Sequence, residues 1–336
     1  MSNFEFYTPT HVYFGRDTQR QVGDLVRAQG CKKVLVHFGG QSARRSGLLD
    51  QIEASLDAAG VAHVQLGGVV PNPHLSLVYQ GIDLCKKEGV DFILAVGGGS
   101  VIDSAKAIGY GLCMDGDVWD LYDHTRKAEG CTPIGVVLTI AASGSEMSNS
   151  SVITKEEGGI KRGYNDEICR PKFAIMNPEL TMTLPDYQTA CGCTDILMHT
   201  MERYFGVNAG TNEITDGIAE ALLRTVISNA PKALKQPDNY QARSELMWCG
   251  SVSHNGLTGF GTDGGDWACH QLEHELSGMF DVAHGAGLAA VWGSWARYVY
   301  QNCMPRFVRF AHNVMGVELG LSDDETALLG IERMED

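Results

Sequence analysis

Three histidines, His270, His274 and His284, stand within the stretch from Asp266 to Leu288, a density that packing alone does not require. His270 and His274 are one helical turn apart, so on a helix their imidazoles leave the same face. Gly278 is expected to end that helix, and the chain then returns to present His284 ahead of Gly285 and Gly287. Neutral imidazole is the commonest protein ligand for a first-row divalent metal, which turns attention to possible partners upstream. Asp195 and His199 are also one turn apart on a predicted helix and share a face. Together Asp195, His199, His270 and His284 offer one carboxylate and three imidazoles, a set that suits Fe(II) or Zn(II) and leaves room for a substrate oxygen. Any one of these histidines alone reads as a packed or surface residue; the coincidence of two spaced sets argues for a site.

The elements that must carry these residues are set by periodicity. Strands at Lys32 to Phe38, Val61 to Leu66 and Val90 to Val96 alternate with helices at Thr18 to Gln29, Arg44 to Ala59 and His74 to Lys87. Such alternation predicts a parallel sheet with helices on both faces, which binds ligands beyond the carboxyl ends of its strands. The glycine-rich turns fall there. The third strand runs into Gly97, Gly98, Gly99 and Ser100 at a helix start, where bare backbone N–H groups attract a diphosphate. A second loop, with Thr139, Ser143 and Ser145, comes after the strand PIGVVL. The GxGxxG fingerprint of ordinary dinucleotide folds is absent. Past Leu184 the pattern turns wholly helical, with helices at Tyr187 to Phe205, Glu213 to Ser228, Gln241 to His254, Asp266 to Ser277, Gly285 to Tyr300 and Asp323 to Met334. The expected domains are therefore 1–184 and 185–336.

With these residues in place the sequence resembles the iron-containing alcohol dehydrogenase family, in particular its butanol dehydrogenase and NADPH-dependent aldehyde reductase branch. The likeness runs through the whole chain and is most specific from Asp266 to Leu288. It implies a dehydroquinate synthase-like architecture, with a Rossmann-like α/β domain followed by an all-α domain, and a nicotinamide cofactor on the two loops. It also implies cofactor roles for Asp103, for Asn72 in the rigid Pro71–Pro73 loop, and for Lys161 near the ribose phosphate. His274 matches the family's non-ligand histidine, either a proton relay or a donor that orients a ligand. Iron, a homodimer and further helices beyond Asp336 are likewise implications of the resemblance, and by the last of these the chain is expected to be truncated.

The turn after the first strand bears on which nicotinamide is used. A carboxylate there would hold a ribose 2′-OH, whereas small residues and an arginine suit a 2′-phosphate. Gly39, Gly40, Gln41 and Ser42 occupy the turn, Arg44 and Arg45 come next, and the first acid is Asp50. This predicts NADP(H) in preference to NAD(H), with Arg44 as phosphate partner and Arg45 equally well a solvated charge.

Composition sets the remaining bounds. At 336 residues the chain can fill about two domains, and a net charge of −15 disfavours nucleic acid and anionic membranes as partners. The N-terminus shows neither a basic region followed by an apolar core nor a stretch long enough to span a bilayer, so the cytoplasm is the expected compartment. The ten cysteines show no paired metal motif and are expected to be reduced thiols. Between Ser244 and Trp295 there is no Lys or Arg, which favours an uncharged substrate over the phosphorylated ones of a lyase or polyol-phosphate dehydrogenase on the same architecture. A non-catalytic cofactor-binding protein would be expected to have lost ligands, and all four are present. Glu273 and Glu275 flank His274 and are expected to be solvated or capping charges, while Phe260, Trp267 and Met279 are expected to set the breadth of the pocket.

The expected chemistry is hydride exchange between the nicotinamide and a small primary alcohol or aldehyde. A positioned base contributes roughly 3 to 5 kcal/mol to alcohol deprotonation. A metal that lowers an oxygen pKa by about nine units contributes on the order of 12 kcal/mol. The metal is thus expected to carry most of the rate enhancement.

Overall fold

The computed structural model describes residues 1–206 and 212–336, which fall into two compact units. The first comprises Thr8–Ile140 and Ser145–Thr183. It begins β1 (His11–Phe14), α1 (Val22–Ala28), β2 (Lys33–Phe38), α2 (Ser42–Arg45), α3 (Leu48–Ala58), β3 (Ala62–Leu66), α4 (Leu75–Glu88), β4 (Phe92–Gly97) and α5 (Gly99–Leu112). It continues through α6 (Trp119–Tyr122), β5 (Ile134–Leu138), β6 (Ser150–Lys155), β7 (Ile160–Asn165) and β8 (Phe173–Met176). Six strands form one parallel sheet in the order β1-β8-β5-β4-β2-β3, while β6 and β7 make an antiparallel hairpin.

The near-continuous apolar runs of β2, β4 and β5 reflect burial on both faces. Val34, Val36, Phe92, Leu94 and Val96 pack with Val22 and Val26 of α1 and Leu49, Ile52 and Leu56 of α3. The alternate residues Leu35, His37, Ile93 and Ala95 point the opposite way, where His37 meets Ser104 of α5. Each fully buried aliphatic side chain contributes about 1.5 to 3 kcal/mol relative to exposure. Registration is even across the sheet: Val12, Ala174, Val136, Ala95, His37 and Leu66 form one row. The carboxyl ends at Phe38, Gly97 and Leu138 therefore open toward a common edge.

The second unit comprises Met1–Tyr7, Ala141–Gly144 and Leu184–Asp336. Its helices are α7 (Asp186–Tyr204), α8 (Glu213–Lys235), α9 (Tyr240–His254), α10 (Ala268–Phe280), α11 (His284–Val299), α12 (Met304–Asn313) and α13 (Asp323–Glu335). They enclose a core of Ile196, Leu223, Val226, Leu288, Trp292, Phe307 and Phe310. Phe4 and Phe6 lay their rings against Phe260, 4.9 and 5.3 Å between centroids.

One helix end departs from expectation. α10 passes through Gly278 and stops at Asp281, whose φ of 51° is left-handed. A mid-helix glycine costs about 1 kcal/mol against alanine, which packing of the helix can outweigh, and Asp tolerates the left-handed cap. The hairpin β6–β7, the four-residue β8 and α12 were not separable from their surroundings by pattern. Among the described residues no helix is long and apolar enough to cross a membrane.

Candidate functional site

α7 places Asp195 and His199 one turn apart on a buried face, and the start of α10 and of α11 bring His270 and His284 to the same point. Asp195 Oδ1 lies 2.9 Å from His199 Nδ1, 3.6 Å from His284 Nε2 and 3.9 Å from His270 Nε2. One ligand atom each from Asp195, His199 and His270 falls within a 4.8 Å cluster, with all three residues buried. His284 completes the group, and His274 stands beside it at 6.0 Å between ring centroids.

Hydrogen bonds fix which nitrogen of each ring carries the lone pair. His199 Nδ1 lies 3.0 Å from the Asp195 carbonyl oxygen, which can only accept, so Nδ1 is protonated and Nε2 holds the lone pair. His270 Nδ1 faces Glu202 Oε1 at 3.0 Å, and the His270 backbone N–H donates to the same oxygen. His284 Nδ1 is held by Glu273 Oε2, whose other oxygen accepts from Ser277. Glu202 and Glu273 thus orient the imidazoles of His270 and His284. Glu273 is 0 % exposed, which corrects the expectation that it is a solvated or capping charge; Glu275 is exposed. The signal available in sequence was spacing: Glu202 is three residues past His199 and Glu273 three past His270, so each carboxylate stays near the ligand face of its helix.

Burial together with the neighbouring histidines holds the His270 imidazole well below its ordinary pKa, leaving it neutral. Burial likewise pushes the Glu202 carboxyl up to about 7, opposed by the backbone N–H groups of His270 and Cys269. His270 Nε2 is buried with no hydrogen-bond partner among the described residues. A neutral imidazole lone pair sealed from water beside a buried carboxylate fits a divalent cation, and the donor set is that of Fe(II) or Zn(II).

Arg203 is a neighbour that spacing did not reveal. Its guanidinium donates to the carbonyls of His199 and Ser253, 2.6 and 2.9 Å away, and lies 4.5 Å from the ring centroid of Trp267. Trp267, at φ 58°, packs edgewise on His199 and His270. This cation is committed to backbone oxygens and an aromatic face.

In the α/β unit the glycine turns expected to bind the cofactor follow β2 and β4 on the common edge of the sheet. Gly39 and Gly40 succeed β2 directly, Gln41 and Ser42 open α2, and all but Gly39 are exposed. Between Phe38 and Asp50 no acid intervenes, and Arg44 reaches Gln65 Oε1 at 2.8 Å while lying 5.7 Å from the Phe38 ring centroid. Gly97 ends β4, Gly98 leads into α5, and Gly99 and Ser100 form its first turn. A Cβ on Gly98 would come within 2.1 Å of the Ile140 side chain, so the approach of the second loop demands glycine there. Thr139 donates its backbone N–H to Gly97 O at 3.1 Å.

Asp103 and Lys106, one turn apart on α5, anchor the chain from Ser145 to Val152. Asp103 accepts from Ser145 Oγ at 2.6 Å and from the Val152 backbone at 3.1 Å. Lys106, 0 % exposed, donates to the carbonyls of Ser145, Ser148 and Ser150 at 2.8, 3.0 and 2.7 Å. Asn72 is buried with a left-handed φ of 54°, and Lys161 stands on β7 opposite Thr154. Ser143 belongs to the short segment Ala141–Gly144 that packs with the helical unit.

A parallel sheet ending in glycine turns, followed by helices that gather three imidazoles on one carboxylate, defines a metal- and nucleotide-dependent class of enzyme. Residues 9–178 match the family model for iron-containing alcohol dehydrogenases, and residues 189–336 match that for the C-terminal part of the Fe-containing alcohol dehydrogenase family. The chain is 40% identical over 328 residues to NADH-dependent butanol dehydrogenase A of Clostridium acetobutylicum, covering 97% of this chain and 84% of that protein. It is 35% identical over 329 residues to the NADPH-dependent aldehyde reductase YqhD of Escherichia coli, covering 97% and 83%. The crystal structure of NADH-dependent butanol dehydrogenase A from Thermotoga maritima superposes with a TM-score of 0.97 at 41% identity, covering all of this chain and 83% of that one. The chain belongs to the iron-containing alcohol dehydrogenase family and is an oxidoreductase of the alcohol dehydrogenase and aldehyde reductase kind.

Proposed function

We propose that Asp195, His199, His270 and His284 hold one divalent metal, Fe(II) or Zn(II), and that the enzyme exchanges hydride between NADP(H) and small primary alcohols or aldehydes. The observation that carries this is the buried cluster of one ligand atom each from Asp195, His199 and His270 within 4.8 Å of one another, with His284 Nε2 3.6 Å from the same carboxylate. When bound, such a metal supplies Lewis acidity toward a substrate oxygen. The chain's own residues do the rest. Glu202 and Glu273 hold His270 and His284 in the tautomer that can donate a lone pair. His274, beside His284, passes a proton or orients its neighbour. The turns Gly39–Ser42, Gly97–Ser100 and Thr139–Ser145 bind the dinucleotide, with Asn72, Asp103 and Lys161 in support.

NADP(H) is preferred over NAD(H) in this reading because the turn after β2 offers no acid and presents Arg44. The relatives' names divide on the point, NADH for the butanol dehydrogenases and NADPH for the aldehyde reductase. The test is oxidation of NADPH and, in parallel, NADH with butanal, by protein stripped of metal and then refilled with Fe(II) or Zn(II) without oxygen. Turnover that returns with metal and has the higher kcat/KM for NADPH is expected. Equal turnover by stripped protein would contradict the metal's role, and a higher kcat/KM for NADH would overturn the cofactor preference.

A further inference from the structure

His254, the last residue of α9, belongs to no ligand set above, yet it sits where the segment Ala141–Gly144 meets the helices. Its Nδ1 lies 2.7 Å from the Ser143 carbonyl oxygen. A carbonyl accepts and never donates, so Nδ1 carries the proton. The ring also packs on His199 at 4.2 Å between centroids with a 33° tilt, and lies 6.1 Å from the Trp267 ring. The segment is seated closely on both neighbouring helices. A Cβ on Gly192 of α7 would lie 2.2 Å from the Ala141 carbonyl oxygen. Gly144 has φ +68°, and a Cβ there would lie 2.5 Å from the Gly250 carbonyl of α9 and 2.7 Å from His254 Cβ. Shape thus holds Ala141 and Gly144, while the side-chain hydrogen bond from His254 holds Ser143 between them.

We propose that His254 is a positioning residue of the cofactor loop, fixing the backbone at Ser143 through its Nδ1–H. This rests on the reading of Ser143 as a nucleotide contact. Three replacements separate the functions of the ring. Leucine keeps apolar bulk without a donor, asparagine places an amide nitrogen where Nδ1 stands, and glutamine reaches toward the position of Nε2 instead.

The test compares H254L, H254N and H254Q as Zn(II)-loaded proteins with wild-type metal content, by fluorescence titration with NADPH and with NADH and by hydrogen–deuterium exchange of the peptide spanning 141–145. One hydrogen bond is worth about a tenfold change in affinity. H254L and H254Q are expected to bind nucleotide about tenfold more weakly, with KM for the cofactor rising more than kcat falls, and to exchange faster at 142–144. H254N is expected to stay within about twofold of wild type on both measures. Should H254L not fold, H254N against H254Q decides the same question. Wild-type exchange in H254L or H254Q, or loss in H254N equal to that in H254Q, overturns the proposal, as does faster exchange with unchanged nucleotide affinity. Wild-type protein that binds neither nucleotide refutes the reading of the loop, and the cofactor role of His254 with it, while exchange still reports whether His254 holds Ser143.

Discussion

In the helical unit the candidate ligands are side chains oriented by other buried side chains, Glu202 behind His270 and Glu273 behind His284. In the α/β unit the candidate cofactor turns are nearly bare backbone, Gly39–Gly40 and Gly97–Gly99, placed by the sheet register, while Asp103 and Lys106 anchor the chain at Ser145. The two designs suit different kinds of ligand. A small divalent cation needs a few donors at sharply defined positions, whereas a dinucleotide spreads charge over a surface that many N–H groups can share. Side-chain substitution should therefore be far costlier in the first region than in the second.

The largest expected effect is at Asp195. Asp195→Ala removes the carboxylate on which the imidazoles converge, and loss of several kcal/mol of charge stabilisation predicts a fall in kcat/KM of about 10³-fold or more. Steady-state kinetics with butanal would show it; a fall under tenfold would break the contrast between the two regions.

The next effect is thermodynamic and lies in the α/β unit. His37 is fully buried, donates to Leu66 O and accepts from Ser104, both at 2.9 Å, and burial lowers its pKa to about 4 from 6.5. Its folded pKa is depressed, so the neutral ring's stabilisation is complete above about pH 6.5 and is lost as pH falls toward 4. That interval corresponds to about 3 kcal/mol at ~1.36 per unit. Urea unfolding between pH 7 and 4 should show this loss, and a His37→Gln variant should show a shallower dependence; equal slopes would refute the assignment.

Glu273→Gln keeps the shape of the residue that orients His284 but weakens its acceptor. Such partners are worth about 10- to 100-fold in metal affinity, so Zn(II) titration of the variant should shift by that factor with folding retained. Arg44→Ala should act least. Its side chain is exposed, and screening limits its contribution, so the NADPH-to-NADH ratio of kcat/KM is expected to fall about three- to tenfold with activity toward NADH unchanged. An unchanged ratio would remove Arg44 from cofactor choice.

The same contrast governs what the sequence discloses. That Asp195, His199, His270 and His284 would lie together was legible because dense histidines are chemically rare and their helical spacing is fixed by local geometry. The strands β2, β4 and β5 were legible because burial on both faces forces long apolar runs. Glu273 was misread because flanking charges on a helix are usually solvated, and only the tertiary return of His284 toward α10 buries it. Lys106, Arg203 and His254 were invisible as site residues because their partners are backbone carbonyls brought near by folding, which leave no mark on composition or spacing. The segment Ala141–Gly144 packs with the helices although the chain on either side of it belongs to the sheet, a placement that periodicity does not encode.

The most direct test of the central claim is calorimetric titration of Zn(II) into metal-stripped protein, comparing wild type with His270→Ala, Asp195→Ala and His274→Ala. One site per chain is expected in wild type and in His274→Ala, and none of comparable affinity in the other two. Binding by His270→Ala and Asp195→Ala at wild-type affinity would contradict the assignment of the metal to these residues.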